Sequence, residues 1–318
     1  MKIVVLDGYA LNPGDLSWDK LANLGECVVY DRTSPEEVYS RISDAEIIIT
    51  NKVLINSTLI GQLPALKYIG VTATGYNVVD VSAANQRKVV VTNIPAYSTD
   101  SVAQLVYSHI LNVANRVELH ANSVKEGKWT NSKDFTFRET LQVELSGKTI
   151  GIVGYGQIGR KVGEIGLAFG MKVIFNNRSE KVGLPEGIEQ KSLREIFAES
   201  DFVSLNCPLT AENNEFVNRE ILHTMKSNAI LINTGRGGLI NEHDLAEALN
   251  SGLIAAACLD VLSTEPPLAD NPLISARNCF ITPHIAWATI EARKRLMNIT
   301  VGNLKSWLSG NNQNTVKI

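Results

Sequence analysis

A chain of 318 residues is long enough for two domains, each with its own core. Its formal net charge of −3 gives no bulk attraction to nucleic acid or to an acidic membrane surface. No apolar run approaches the length of a membrane span.

The opening Met1-Lys2-Ile3-Val4-Val5-Leu6-Asp7 meets a charge too early for a signal peptide and reads as a first buried strand. Strand-like runs occupy 3–6, 27–30, 46–50, 68–71 and 89–92. Among them, Ser34-Pro35-Glu36-Glu37 spells a helix start, with Ser as N-cap, Pro at the first position and Glu closing a capping box. A long apolar helix is predicted from Ser101 to about Glu118. The stretch 123–143 is longer than a typical connection and carries Trp129, Phe135 and Phe137 as aromatic anchors. It reads as a surface loop or as a subunit-contact arm. Further strands follow at 148–153, 173–176, 202–206, 230–233, 256–259 and 280–282. A C-terminal helix is predicted over 289–308, and the polar end 310–314 is expected to fray. Short β-branched strands alternating with helices indicate parallel sheets covered by helices. The strands are too many for one sheet, so the fold class is α/β with two doubly wound parallel-sheet domains.

The four cysteines, Cys27, Cys207, Cys258 and Cys279, form no CxxC pair and sit in or at the ends of apolar runs. They read as reduced thiols of a cytoplasmic protein. The five histidines show no metal-ligand spacing, and no metal site is expected. His109, His120, His223 and His243 read as structural or surface residues.

The most informative segment is Gly154-Tyr155-Gly156-Gln157-Ile158-Gly159. An apolar β-branched run precedes it, a helical pattern (Val162, Ile165, Phe169) follows, and a second strand closes the βαβ unit. Gly154 permits the tight turn, Gly156 lets a pyrophosphate approach the backbone, and Gly159 lets helix and strand pack closely. The N–H groups of the helix's first turn would face the phosphates. This is the pattern of a Rossmann dinucleotide-binding domain. It begins near the middle of the chain. The expected organisation is therefore a discontinuous first domain, 1–99 plus 289–318, with the dinucleotide domain 100–288 inserted. Ligand is expected in the cleft between them, at the carboxyl ends of the strands.

Three charged or titratable residues stand at later strand ends. Arg236 lies in Asn233-Thr234-Gly235-Arg236-Gly237-Gly238, Glu265 in Asp260-Val261-Leu262-Ser263-Thr264-Glu265-Pro266-Pro267, and His284 in Thr282-Pro283-His284-Ile285-Ala286-Trp287. Read singly, Glu265 is a solvated loop acid and Asp260 a strand-end cap. Read together and in order, the four blocks resemble the D-isomer-specific 2-hydroxyacid dehydrogenases over nearly the whole chain. Within that family the chain is most similar to the glycerate dehydrogenase or hydroxypyruvate reductase branch.

The resemblance implies a flavodoxin-like substrate domain beside the Rossmann domain, and reduction of a small 2-keto acid, hydroxypyruvate or glyoxylate, by hydride transfer. It gives His284 the part of general acid and Glu265 that of its carboxylate partner, which favours the imidazolium. Arg236 would grip the substrate carboxylate with its planar fork, and Asp260 would hold the nicotinamide carboxamide. The backbone N–H groups of Thr74 and Gly75 would clamp the substrate carboxylate. Lys52 is either a substrate contact or a solvated lysine, and Trp287 either a pocket wall or core. The cofactor-binding set comprises the six residues 154–159 with Cys207 and Pro208 against the adenosine half, and Thr234 and Gly235 before Arg236. At the end of the second strand Asn177 takes the position where an acidic residue would bind the ribose of NAD, and Arg178, Ser179 and Lys181 follow. A neutral amide with a cation and a hydroxyl favours NADP(H), with NAD(H) still open. A homodimer is expected from the family.

A phosphoglycerate dehydrogenase is the rival enzyme, and a dinucleotide-sensing corepressor the rival of another class. Formate dehydrogenase is disfavoured, since oxidising formate needs no general acid.

Overall fold

Each run of β-branched residues predicted as a strand forms one, because side chains on both faces of a central parallel strand are buried. The computed structural model describes residues 1–316; residues 317 and 318 of the expected 289–318 segment lie outside them. The chain divides into two compact units, one of Met1–Ser98 with the stretch from Ala288 onward, the other of Thr99–Trp287.

In the first unit, β1 (Lys2–Val5), β2 (Glu26–Val29), β3 (Ile47–Thr50), β4 (Tyr68–Val71) and β5 (Val90–Thr92) form a parallel sheet of order β2-β1-β3-β4-β5. Alternation sends Val4, Ile48, Ile69 and Val91 to one face, against Ile60, Leu63 and Ala84. Ile3, Val5, Ile47, Ile49 and Tyr68 face the other way, against Leu21 and against Val301 and Leu304 of the helix Ile290–Leu308. Tyr68 also lies 5.1 Å from the Trp307 ring and bonds Thr92 Oγ1 at 2.6 Å. The capping box forms as written: the Ser34 N–H donates to Glu37 Oε2 at 3.1 Å, and a 3-10 turn, Pro35–Glu37, leads into the helix Val38–Ile42.

The polar end expected to fray is tied to the sheet at Asn314. Asn93 N–H donates to Asn314 O at 3.2 Å and Val316 N–H to Val91 O at 2.9 Å, so the tail pairs antiparallel with the edge of β5. Backbone groups make this contact, which is why a polar composition gave no sign of it.

In the second unit the strands are β6 (Thr149–Val153), β7 (Lys172–Asn176), β8 (Ile188–Gln190), β9 (Phe202–Leu205), β10 (Ile230–Asn233), β11 (Ala256–Leu259) and β12 (Cys279–Ile281). They form one parallel sheet of order β12-β11-β10-β9-β6-β7-β8. Two apolar cores cover its faces. The strand β8 is absent from the sequence reading: it is a three-residue edge strand with only Ile188 buried.

The helix expected over 101–118 is two helices, Thr99–Asn115 and Val117–Lys125. Between them Arg116 takes left-handed angles (φ 48°, ψ 44°) and lays its guanidinium 4.3 Å from the Phe280 ring centroid. The first helix packs on the helix Gln157–Ala168, with Tyr107 Oη donating to Val162 O at 2.7 Å. Beyond Lys125 the chain is irregular. Trp129 Nε1–H donates to Phe135 O at 2.9 Å, but the Phe135 ring is 90% exposed and anchors nothing within this unit. Among the described residues no helix is long and apolar enough to cross a membrane.

Candidate active and cofactor site

The glycine turn is built as its spacing requires. Gly154 has φ +94°, and a Cβ there would stand 2.6 Å from Cys207 N. A Cβ on Gly159 would strike the Gly154 carbonyl oxygen, whereas one on Gly156 would meet nothing within 4 Å. The open space lies at the residue whose backbone a pyrophosphate must approach, beside an N-terminus that no side chain caps. Two side-chain oxygens on the same carboxyl edge, Asn206 Oδ1 and Thr234 Oγ1, are buried with no hydrogen-bond partner among the described residues. Both features fit a dinucleotide. Tyr155 faces away from that space, its ring stacked 4.1 Å from Phe175, and the helix of Gln157 and Ile158 starts there.

After β7, Asn177 is a turn-former. Its Oδ1 accepts from Tyr155 N–H at 3.3 Å, and its Nδ2 donates to Ser179 O and Oγ at 3.2 Å each. Arg178 and Ser179 are exposed. After β9, burial pushes the Cys207 thiol up in pKa, and Pro208 O accepts from Asn213 Nδ2 at 2.8 Å.

The reacting residues come from three neighbouring strand ends. The register pairs Asn233 with Leu259 and Leu259 with Ile281, so the segments opening at Thr234, Asp260 and Thr282 emerge side by side. Asn233 is fully buried: Oδ1 accepts from Gly235 N–H at 3.0 Å, and Nδ2 donates to Arg236 O at 2.9 Å. It fixes the turn that presents Arg236. Sequence reading counts Asn233 only as a strand end; an Asn just before a Thr-Gly turn was the available signal. Arg236 is exposed and uses one N–H on Gly235 O at 2.7 Å. Gly237 must be glycine, since a Cβ would enter the Leu262 carbonyl.

His284 sits at φ +54°, a strained angle for a residue with a side chain. Asp260 holds it there. This carboxylate is 1% exposed. Oδ1 accepts from Thr282 Oγ1–H at 2.6 Å and Ile285 N–H at 2.9 Å, Oδ2 from Ala286 N–H at 2.8 Å, and Asp260 O from His284 N–H at 2.9 Å. What the structure displays for Asp260 is therefore an anchor of the 282–286 loop, with its carboxylate turned into that loop. His284 Nδ1 meets Glu265 Oε2 at 2.6 Å, and Glu265 Oε1 accepts from Leu262 N–H at 3.2 Å. Behind the loop, buried His109 reaches Thr282 Oγ1 with Nε2 at 3.3 Å. Thr282 donates to Asp260, so His109 must donate to Thr282. Burial holds the His109 ring below its usual pKa, against the opposing charge of Asp260. Trp287 is partly buried at the end of this segment.

In the first unit, Asp7 accepts from the backbone N–H groups of Asn51, Lys52 and Val53 at 2.8, 2.6 and 3.2 Å, fixing the turn after β3. Exposed Lys52 lies in the wall of a cavity of about 770 Å³, with Arg32, Tyr39 and Leu54. After β4, Thr74 Oγ1 donates to Ile94 O at 2.9 Å, while the N–H groups of Thr74 and Gly75 have no acceptor among the described residues. No cluster of three or more His, Cys, Asp or Glu among the described residues is placed to hold a metal.

Residues 107–286 match the family described as D-isomer specific 2-hydroxyacid dehydrogenase, NAD binding domain. A hydroxypyruvate reductase of Blautia hydrogenotrophica is 49% identical over 320 residues, with 99% of each chain covered. A glycerate dehydrogenase of Methylorubrum extorquens is 38% identical, with 91% of each covered. Among solved structures, an NADPH-dependent glyoxylate/hydroxypyruvate reductase from Sinorhizobium meliloti, in complex with NADP and malonate, superposes with a TM-score of 0.83 at 29% identity, covering 99% of this chain and 96% of that one. The order of motifs, the glycine turn and these matches agree, and the chain belongs to the D-isomer-specific 2-hydroxyacid dehydrogenase family.

Proposed function

We propose that the chain reduces a small 2-keto acid, hydroxypyruvate or glyoxylate, to the D-2-hydroxy acid, with NADP(H) favoured and NAD(H) as the alternative. The observation that carries this reading is the His284–Glu265 contact of 2.6 Å beside the Arg236 turn on a neighbouring strand end. A reduced dinucleotide held by the 154–159 turn at its pyrophosphate would supply the hydride.

His284 supplies the proton. Glu265 holds Nδ1, so Nε2–H is the group left to face a substrate oxygen and to give its proton up. When the carbonyl oxygen takes that proton the ring is left neutral, with Nδ1–H still donating to Glu265. Its side chain is 30% exposed, so solvent can return the proton. Arg236 keeps most of its guanidinium donors for a substrate carboxylate and polarises the adjacent carbonyl. In the first unit the unbonded N–H groups of Thr74 and Gly75 suit a carboxylate, and Lys52 is assigned to substrate binding; in the second unit Trp287 is assigned to it as well. Asp260 positions His284 through the loop it holds.

The neutral Asn177 beside exposed Arg178 and Ser179 supports NADP(H), as does the NADP in the Sinorhizobium meliloti enzyme. The exposed Trp129, Phe135 and Leu141 of the irregular segment support a homodimer contact. Oxidation of NADPH and NADH by the purified chain with hydroxypyruvate, glyoxylate, pyruvate and phenylpyruvate tests the reading. Turnover should be fastest with the first two acids and NADPH. His284→Ala should remove nearly all turnover, about 10²-fold or more, with dinucleotide affinity unchanged. Near-normal turnover in that variant would remove His284 as the acid.

A further inference from the structure

The turn after β7 is held from two sides. Gln190 on β8 accepts from Lys181 N–H with Oε1 at 2.9 Å, and donates through Nε2 to Asn177 O and Ser179 O at 3.3 Å each. Asn177 closes the turn internally through Ser179. With its backbone fixed, the turn projects the Arg178 side chain outward, 84% exposed, and the guanidinium meets Glu212 Oε2 at 3.2 Å. Glu212 belongs to a 3-10 turn, Ala211–Asn213, that follows β9. The sheet order β9-β6-β7 places that turn across the nucleotide strand β6 from Arg178. The turn is itself pinned, by Thr210 N–H donating to Asn213 Oδ1 at 2.7 Å and Asn213 Nδ2 donating to Pro208 O at 2.8 Å. An acid and a cation on two separately braced turns therefore meet over the place where the adenosine ribose of a dinucleotide lies.

We propose that Glu212 is a specificity-determining residue of the dinucleotide site, competing with a ribose 2′-phosphate for Arg178. The inference rests on the reading of 177–181 as the 2′-phosphate turn. Carboxylate and phosphate use the same planar fork of donors, so a bound 2′-phosphate must displace Glu212 from it. An exposed pair is weak, and a phosphate carries nearly twice the charge, so the displacement succeeds but reduces the gain. A 2′-hydroxyl makes no such demand, and the Arg178–Glu212 pair stays intact with NAD(H). Glu212 thus narrows the preference for NADP(H) and keeps NAD(H) usable.

The test is binding alone, by calorimetry at low ionic strength, of 2′,5′-ADP and 5′-AMP to the full chain, its E212Q and R178A variants and the double variant. Glu212→Gln should tighten 2′,5′-ADP by about threefold to fivefold and leave 5′-AMP unchanged. In the Arg178→Ala background the same change should have no effect. If the parent prefers 2′,5′-ADP and Glu212→Gln does not alter that preference, Glu212 is no competitor, although the phosphate turn stands. If the tightening persists in full without Arg178, competition for that guanidinium is refuted. If the parent binds both ligands alike, the phosphate reading itself fails and the inference goes with it.

Discussion

Replacing Asp260 by Asn keeps the size of the side chain and removes its ability to accept at both oxygens. The native carboxylate takes Thr282 Oγ1–H and Ile285 N–H on one oxygen and Ala286 N–H on the other. An amide can satisfy one side only, by turning its NH2 toward the donor on the other, so at least one buried N–H is left without an acceptor. That costs about 1–3 kcal/mol, and the bonds that remain lose the strengthening of an ionised acceptor, about 1 kcal/mol more. A total near 3 kcal/mol should lower the melting transition of the unit by roughly 6–12 °C. The consequence for activity is larger than for stability. His284 is held at φ +54°, which costs about 1–3 kcal/mol of strain and persists only while the 282–286 loop is tied down. Released, the loop relaxes and moves the imidazole from its place, and kcat should fall about 10²-fold. Calorimetry and steady-state reduction of hydroxypyruvate measure the two effects. An Asp260→Asn chain that melts within about 1 °C of the parent and turns over normally would refute the assignment of Asp260 as the anchor.

The glycine turn predicts two substitutions with opposite signatures. Gly156→Ala adds a methyl to open space, so melting should be unchanged while dinucleotide affinity falls about tenfold or more; Gly159→Ala should destabilise by about 2 kcal/mol or more as its Cβ meets the Gly154 carbonyl. Denaturation and calorimetric binding separate them, and equal effects on both would contradict the roles assigned. His109 predicts a pH dependence of stability. Burial lowers its pKa from 6.5, so the unfolded chain binds the proton first: stability is complete above about 6.5 and is lost as pH falls from there toward the depressed native value. His109→Gln, which can still donate to Thr282, should flatten that part of the acid loss in urea midpoints compared at about pH 7.5 and 5; parallel curves would show that His109 does not titrate as its burial requires.

What was legible in the sequence was what short-range chemistry encodes. Buried strands announce themselves through β-branched runs, and Ser34-Pro35-Glu36-Glu37 carries its capping box in four residues. The glycine turn names its own geometry, since Gly154 and Gly159 answer steric demands within a few residues or one strand away, and the space at Gly156 is left open. Edge strand β8 was not legible, because one buried Ile188 makes no pattern. The break at Arg116 has no Gly or Pro to mark it; its visible partner is Phe280, far along the chain. The same holds for the site. His284, Glu265 and Arg236 stand in recognisable blocks, but the contacts that hold them are distant. His109 and Thr282 are separated by 173 positions, and Glu212 reads in sequence as one more solvated acid.

The arrangement also explains why the acid stands where it does. β12 is the edge strand of its sheet, paired only with β11, and a chain leaving an edge can turn through a left-handed residue without disturbing a neighbour on its far side. That freedom would leave the imidazole loose. The compensation comes from the adjacent strand end, where Asp260 collects the backbone N–H groups of Ile285 and Ala286, the Thr282 hydroxyl and, through its own carbonyl, the His284 N–H. One buried carboxylate thereby converts a flexible edge into a fixed platform, and Glu265 needs only to orient the ring. Holding the loop and orienting the ring are thus divided between two carboxylates, Asp260 and Glu265, and His284 gives the proton. Loss of Glu265 should spare the fold, whereas loss of Asp260 should damage fold and rate together.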